Sequence, residues 1–386
     1  MTRWTVTVTS ARSYDLAVVG AGIVGLACAL AAARRGKRVV VIDRDAQANG
    51  ASVRNFGFIT VTGQASGEMW RRAMRTRDVW AEVAAETDTP ILHRGLRLTA
   101  RRPESVAVLG AFLRTEMGAG CRLLDPGEVR CAQSELATPD LLAALWSPHE
   151  LRVESRQAIP RLAAWLEARH GVTFLRQTAV LGVETSKVLT AHGVIEAEAV
   201  AVCPGDDLVS LFGEAIAAHG VTRCKLQMLR LADPGFRLSA AVMSDLGLVR
   251  YAGYAVLPEA QALRARLQAE QPGQLEHGVH LIVVQSADGS LVVGDSHHYA
   301  PTLDPFAREA VDQLILDEFE AVFGREAPPV LERWIGTYAS ASDRTVLIDT
   351  PAPGVRLVMV TTGAGASTGF ALGEDVVADL FGETRQ

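Results

Sequence analysis

The sequence predicts an α/β protein in which a parallel, doubly wound nucleotide-binding domain is interrupted by an inserted, mostly antiparallel α+β domain. Three observations carry this expectation. An apolar strand runs into a glycine-rich turn and an Ala-rich helix at positions 15–35, and a strand, glycine turn and helix recur at the far end of the chain. Between them lies a long series of short strand-like runs, with no repeat and no low-complexity linker. At 386 residues, 48% of them hydrophobic, the chain is long enough for two domains with sizeable cores.

The first turn dictates its own chemistry. Asp15 to Val19 is a short apolar run suited to a buried parallel strand, and Arg38 to Ile42 is a second one that ends on an acid, Asp43. Between them Gly20, Gly22 and Gly25 spell G-x-G-x-x-G, and Ile23 to Arg35 reads as a helix. Gly20 permits the tight turn, Gly22 lets backbone approach a pyrophosphate, and Gly25 lets helix and strand pack closely. The amides that open the helix, at Ile23 and Val24, then face the phosphates. Asp43, with Arg44 beside it, can accept hydrogen bonds from a ribose 2′-hydroxyl and argues against a 2′-phosphate, hence against NADP.

This motif alone does not choose between FAD and NAD, and the C-terminal segment helps to choose. GVRLVMVTTGAGASTGFALGEDVVADLFG predicts a strand over Val355 to Val360, a turn at Gly363 and Gly365, and a helix starting near Ser367 or Thr368. A second helix N-terminus would stabilise negative charge on a reduced isoalloxazine, which a simple NAD domain does not need. The reading is therefore a Rossmann-like FAD-binding domain.

Further elements follow in order. Glu68 to Glu86 reads as a charged amphipathic helix, Leu96 to Ala100 as a strand, Pro103 to Gly118 as a helix, and Ser155 to Arg169 as another. The strands after it end at Gly205, placing Val180 where its backbone could meet adenine and Gly205 where it could close over the pyrophosphate. Beyond Cys224, the runs KLQMLRLAD, LVRYAGYAVL, HLIVVQS and SLVVGDSHHYA read as strands, with a helix from Pro305 to Phe323. The expected boundaries are 14–90, 150–222 and 331–386 for the FAD domain, 91–149 and 223–330 for the substrate domain, and an N-terminal tail at 1–13.

Composition removes several classes. A net charge of −6 and a pI near 5.9 argue against a nucleic-acid-binding face, so an anionic ligand needs a local basic pocket. Five cysteines, odd in number and never spaced as C-x-x-C, support neither a disulfide framework nor zinc and read as buried free thiols. The first fourteen residues lack a signal peptide's apolar core, and no apolar run approaches ~20 residues, which predicts a cytoplasmic protein without membrane contact.

GAGIVGL with its terminal Asp43, RNFGF, CPGDD, RCKLQML, WIGTY and TTGAGASTGFALGEDVV together resemble the D-amino-acid oxidase and glycine oxidase superfamily of FAD enzymes, over nearly the whole chain. ASVRNFGF followed by GQ, LRVESRQAIPRLAAWL, TRCKLQMLR and GDSHHY resemble its subgroup associated with phosphonate catabolism. The resemblance implies that Ser52, Arg54, Asn55 and Gly57 line the pyrophosphate and flavin, with Arg54 and Gln64 reaching toward substrate. It implies further flavin contacts at Gly336, Gly363, Gly365, Ser367 and Thr368. No cysteine near the C-terminal segment and no His in the loop at Arg54 predict a non-covalent FAD.

The resemblance also exposes two departures. Where amino-acid oxidases of this group carry an Arg that grips the substrate carboxylate, this chain has Gln285 and Tyr338 in the two matching places. That disfavours a plain α-amino acid and favours a small aminophosphonate related to 2-aminoethylphosphonate, oxidised with O2 as electron acceptor. A phosphonate needs several donors and at least one cation. The candidates are Arg223, Arg230, Arg250, Tyr251, Tyr254, His297 and His298, with Gln285 and Tyr338 beside them. A tyrosine or histidine near the amine would help to deprotonate it. His297 and His298 do not predict a metal, since adjacent side chains on an extended segment diverge. The rival readings are a glycine, sarcosine or D-amino-acid oxidase, an FAD dehydrogenase with another acceptor, and a non-catalytic FAD-binding module. The sequence leaves room for a homo-oligomer.

Overall fold

In a computed structural model that describes residues 13–382, the chain builds two sheets. The tail expected at 1–13 lies, but for Ser13, outside the described residues. Among the described residues no helix is long and apolar enough to cross a membrane.

The first sheet grows from the apolar runs. Tyr14–Val19, Val39–Ile42, Thr173–Leu175, Gly193–Val202 and Val355–Val360 are parallel to one another. Their order places Val355–Val360 beside Gly193–Val202, then Tyr14–Val19, Val39–Ile42 and Thr173–Leu175, with Val346–Ala352 antiparallel at the other edge. Central parallel strands are buried on both faces, which is why VVVI has no polar alternation. Helices Ile23–Arg34, Glu68–Glu86, Ser155–His170 and Gly365–Phe381 pack together over one face in a shared core containing Leu26, Trp80, Leu162 and Phe370.

The second sheet is antiparallel at every joint but one, Ala241–Met243 against Ile91–Ala100. Its long members are Ile91–Ala100, Ala143–Val153, Thr222–Leu231 and Val330–Ser340. The expected boundary at 331 falls inside this sheet, because Val330–Ser340 pairs with Thr222–Leu231 before the chain returns to the first sheet at Val346.

Several elements differ from expectation. The helix expected over Pro103 to Gly118 ends at Phe112, with a separate 3₁₀ turn at Glu116–Gly118, and SLVVGDSHHYA divides into strands Leu291–Gly294 and His298–Ala300. LVRYAGYAVL is not a strand but part of a 3₁₀ turn, Asp245–Val249, followed by a short helix, Ala252–Ala255. Leu246, Leu248, Val249 and Tyr254 are all buried, so the apolar run reports burial rather than period, and the amide of Gly253 bonds to Gly63 O at 2.9 Å. The helix expected from Pro305 begins at Glu309, since the carbonyls of Asp304 and Phe306 turn to accept from Lys225 Nζ. The C-terminal helix starts at Gly365, ahead of Ser367. Cys28, Cys203 and Cys224 are buried free thiols, whereas Cys121 is half-buried and Cys131 is exposed.

Candidate active site

A cavity of about 440 Å³ lies where the two sheets meet. Two helix starts open onto it. Gly20 has φ +103°, and a side chain there would collide with the Cys203 carbonyl; a side chain on Gly25 would collide with the Gly20 carbonyl. The helix Ile23–Arg34 can thus sit directly on the strand end, with Gly22, Ile23, Val24 and Gly25 in the cavity wall. The N-cap residues Gly22 and Ala364 make no side-chain cap, so the amides of Val24 and Gly25 in the first helix and of Gly365 and Ala366 in the second remain to meet a ligand.

Side chains fasten this cradle. Asp43 Oδ2 accepts from the Ala21 amide at 2.6 Å, tying the glycine turn to the second strand, and Ser52 Oγ accepts from the Ile23 amide at 2.9 Å. Asn55 shapes the loop from within: its Nδ2 donates to Ala51 O, while its Oδ1 accepts from the Gly57 amide and the Ser155 hydroxyl. Ser367 Oγ accepts from the Thr60 amide at 2.9 Å and Trp334 Nε1 donates to Arg54 O at 3.1 Å, joining the loop to the C-terminal helix and the second sheet. Two glycine-rich turns and two helix starts with amides still free, all on one cavity, fit a pyrophosphate-linked flavin.

Of the predicted cofactor residues, Gly22, Ile23, Val24, Gly25, Ser52, Arg54, Asn55, Gly205, Gly336, Gly363, Gly365 and Ser367 line the cavity. Gly20, Asp43, Arg44, Gly57, Val180 and Thr368 lie outside its lining. Arg44 is ion-paired with Asp207 at 2.9 Å, Thr368 Oγ1 donates back to Ala364 O, and Val180 pairs with Thr190 in a peripheral hairpin.

The substrate candidates separate sharply. Arg250, Tyr251, His297, Tyr338 and Gln64 line the cavity; Arg223, Arg230, Tyr254, His298 and Gln285 do not. Arg223 donates to Asp206 O and Pro301 O, and Arg230 is held by Glu332, Ser286 and Ser290. His298 turns away to His277 at 3.0 Å, while Tyr254 is fully buried under Gly63. Gln285 corrects the expectation most directly: its amide clamps Leu238, Phe236 and Gly289 backbone groups, so it neither fills nor vacates a substrate-binding place.

In its stead the structure brings in His280, Asp295 and Tyr299, which the candidate set above omits. His280 and Asp295 exchange both backbone hydrogen bonds, at 3.2 and 3.0 Å, and a pair so bonded presents both side chains on one face. Gly278 O accepts from His297 Nδ1 at 2.9 Å, leaving Nε2 as a lone pair. His280 Nε2 meets the Tyr251 hydroxyl at 3.2 Å, which turns Nδ1 toward Asp295 Oδ1 at 3.3 Å. Burial pushes the Asp295 carboxyl up to about 7 against the opposing pull of Arg250. Burial, then Arg250, hold His280 and His297 well below the ordinary imidazole value, so both rings are neutral near pH 7. Arg250 donates to the Tyr299 hydroxyl at 3.0 Å, and among the described residues no carboxylate lies within ion-pair distance of it.

Residues 15–380 match the family model described as FAD dependent oxidoreductase. A glycine oxidase of Geobacillus kaustophilus (strain HTA426) is 26% identical over 206 residues, half of this chain. The matched segment spans 54% of that relative's length. The solved glycine oxidase of Bacillus cereus ATCC 14579 superposes with a TM-score of 0.77 at 16% identity, over 96% of both chains. L-proline dehydrogenase of P. horikoshii gives 0.77 at 19% identity, over 97% of this chain and 95% of its own. At these identities the solved structures establish the fold.

Proposed function

The chain belongs to the FAD dependent oxidoreductase family, and from that premise we propose that it oxidises the C–N bond of a small aminophosphonate of the 2-aminoethylphosphonate type, primary, N-methylated or hydroxylated. The observation that carries the anionic substrate is Arg250, a guanidinium in the cavity wall without a carboxylate partner among the described residues. Arg54 lines the same cavity, and its side chain meets Asn49 Oδ1 at 3.3 Å rather than a carboxylate. Two such cations can neutralise a doubly charged head group that would be expensive to desolvate unpaired.

The residues that would hold the cofactor are Gly22–Gly25, Ser52, Asn55, Gly205 and the start of the helix Gly365–Phe381, all in the cavity wall. Bound there, FAD would supply the acceptor for the hydride equivalent on the carbon bearing the amine, so that the amine becomes an imine that hydrolyses to an aldehyde and ammonia or methylamine, with O2 as the final oxidant reduced to H2O2. The chain's own contribution is orientation and exclusion of water: Phe56, Phe58, Leu226 and Ile282 supply the apolar part of the wall.

A second reading, oxidation of glycine or another small amino acid, draws support from the same Arg250, whose fork also suits a carboxylate, and from the glycine oxidase relative. Gln285 no longer weighs against it, because that residue is outside the cavity. The test is anaerobic bleaching of the bound flavin by 2-aminoethylphosphonate, its N-methyl and 1-hydroxy derivatives, glycine, sarcosine and D-alanine. Bleaching by the phosphonates alone supports the first reading. Bleaching by the amino acids alone replaces it with the second.

A further inference from the structure

We propose that Asp295, His280 and His297 form the amine subsite: the Asp295 carboxylate, His280 Nδ1 and His297 Nε2 receive the substrate's ammonium, and Asp295 takes one of its protons. This rests on the amine-oxidation reading but not on the phosphonate. The geometry supplies three acceptors that face one another. The ligand-type atoms of the three residues lie within 4.8 Å of each other, a spread that the three N–H donors of one ammonium reach at about 2.9 Å each.

Two of these acceptors are orphans. Asp295 Oδ1 and His280 Nδ1 are buried without a hydrogen-bond partner although they stand 3.3 Å apart, and both side chains are more than nine-tenths buried. In the tautomer whose Nε2–H donates to the Tyr251 hydroxyl, both atoms carry lone pairs, and those call for a donor between them. Asp295 is the one carboxylate among the cavity-lining residues, and it shares that wall with Arg250, so a molecule carrying both an ammonium and an anion finds both complements in one space. The same guanidinium, whose charge reaches all three residues, opposes any cation in their midst, a divalent ion about twice as strongly as a singly charged ammonium, which can also shed its charge by giving up a proton.

The step balances simply. An N–H bond of the ammonium breaks, its electron pair stays on nitrogen, and the proton forms an O–H bond at Asp295. The products are the neutral amine that oxidation requires and a carboxylic acid. The groups that face Asp295 are His280, His297, Arg250, Tyr251 and Cys224. Only Asp295 among them changes charge near neutrality: the two imidazoles are held neutral, and burial pushes the Tyr251 phenol up and the Cys224 thiol up to about 11.

The experiment uses the flavin-loaded protein and Asp295→Asn, with flavin content as the control for folding. Perturbation of the flavin absorbance is titrated with 2-aminoethylphosphonate and with ethylphosphonate, which has the anion but no amine. The wild type is expected to prefer the amine by about tenfold or more, and D295N to bind the two alike. In anaerobic bleaching, the wild-type rate rises with pH through about 7, and D295N loses that limb. If neither phosphonate binds the wild type, glycine against acetate gives the same comparison, so the subsite is judged even where the phosphonate reading fails. If D295N lacks flavin, His297→Asn, which withdraws one acceptor, is expected to lower the preference severalfold. A D295N or H297N protein that keeps both the preference and the pH limb overturns the proposal. So does wild-type activity that is lost to a chelator and restored by a divalent cation.

Discussion

Replacing Arg250 by Met removes the charge to which the proposed substrate's anion is assigned while leaving an unbranched chain of similar reach in the cavity wall. Truncating one partner of a buried, hydrogen-bonded charge pair costs about 2–5 kcal/mol. Arg250 is only partly buried in the open cavity, so the lower part of that range applies, ~2–3 kcal/mol, or roughly 30- to 150-fold in dissociation constant at ~1.4 kcal/mol per tenfold. R250K keeps the charge but loses the fork and its bond to Tyr299, and should fall between. The assay is anaerobic stopped-flow bleaching of the flavin over a range of substrate concentration. The half-saturating concentration should rise by that factor, with the limiting rate changed far less. There is a coupled effect: Arg250 holds Asp295 down, so in R250M the pH limb should move above its wild-type midpoint of about 7. Unchanged half-saturation in R250M with intact flavin, together with the full loss in Arg54→Met, would refute the assignment of the anion to Arg250.

Other outcomes test the scaffold. Gly25→Val drives a side chain into the Gly20 carbonyl, and overpacking of this kind costs about 1–3 kcal/mol; thermal melting and the flavin-to-protein ratio should both fall. Asp295 is raised from 3.8 to about 7, so the folded state binds more protons than the unfolded state between those values and stability falls as pH rises through the window. Above pH 7 the buried carboxylate costs about 4 kcal/mol by this arithmetic at ~1.36 kcal/mol per pH unit, so flavin-free D295N should resist urea better than wild type at pH 8, with no advantage near pH 4. His280 and His297 act oppositely, losing stability as pH falls below about 6.5 in both proteins, which is why the difference between the two is the quantity to measure. Gln285→Arg, which would restore the residue expected of an amino-acid oxidase, should destabilise by about 3 kcal/mol or more and confer no gain on glycine, since it buries a charge among backbone groups.

The nucleotide-binding half was legible because its signals are local. A turn at Gly20 to Gly25 works through the backbone of a few consecutive residues, and the strand, turn and helix that surround it announce themselves by burial and period. Most of the loop from Ser52 to Asn55 was legible through resemblance for the same reason, since a contiguous stretch meets the cavity. The substrate end depended on contacts between distant positions. His280 and Asp295 face each other only because their segments exchange backbone hydrogen bonds, and Arg250 reaches the cavity only because its run turns rather than extends. Nothing local separates Arg250 from Arg223 and Arg230, or His297 from His298. The fold decides among them by giving some their partners elsewhere, in Asp206, Glu332 and His277, and leaving the others to the cavity. Burial then sets the chemistry: the same Asp295 on an exposed loop would be an ordinary carboxylate, and its proton affinity near neutrality comes from desolvation that only the packed structure imposes.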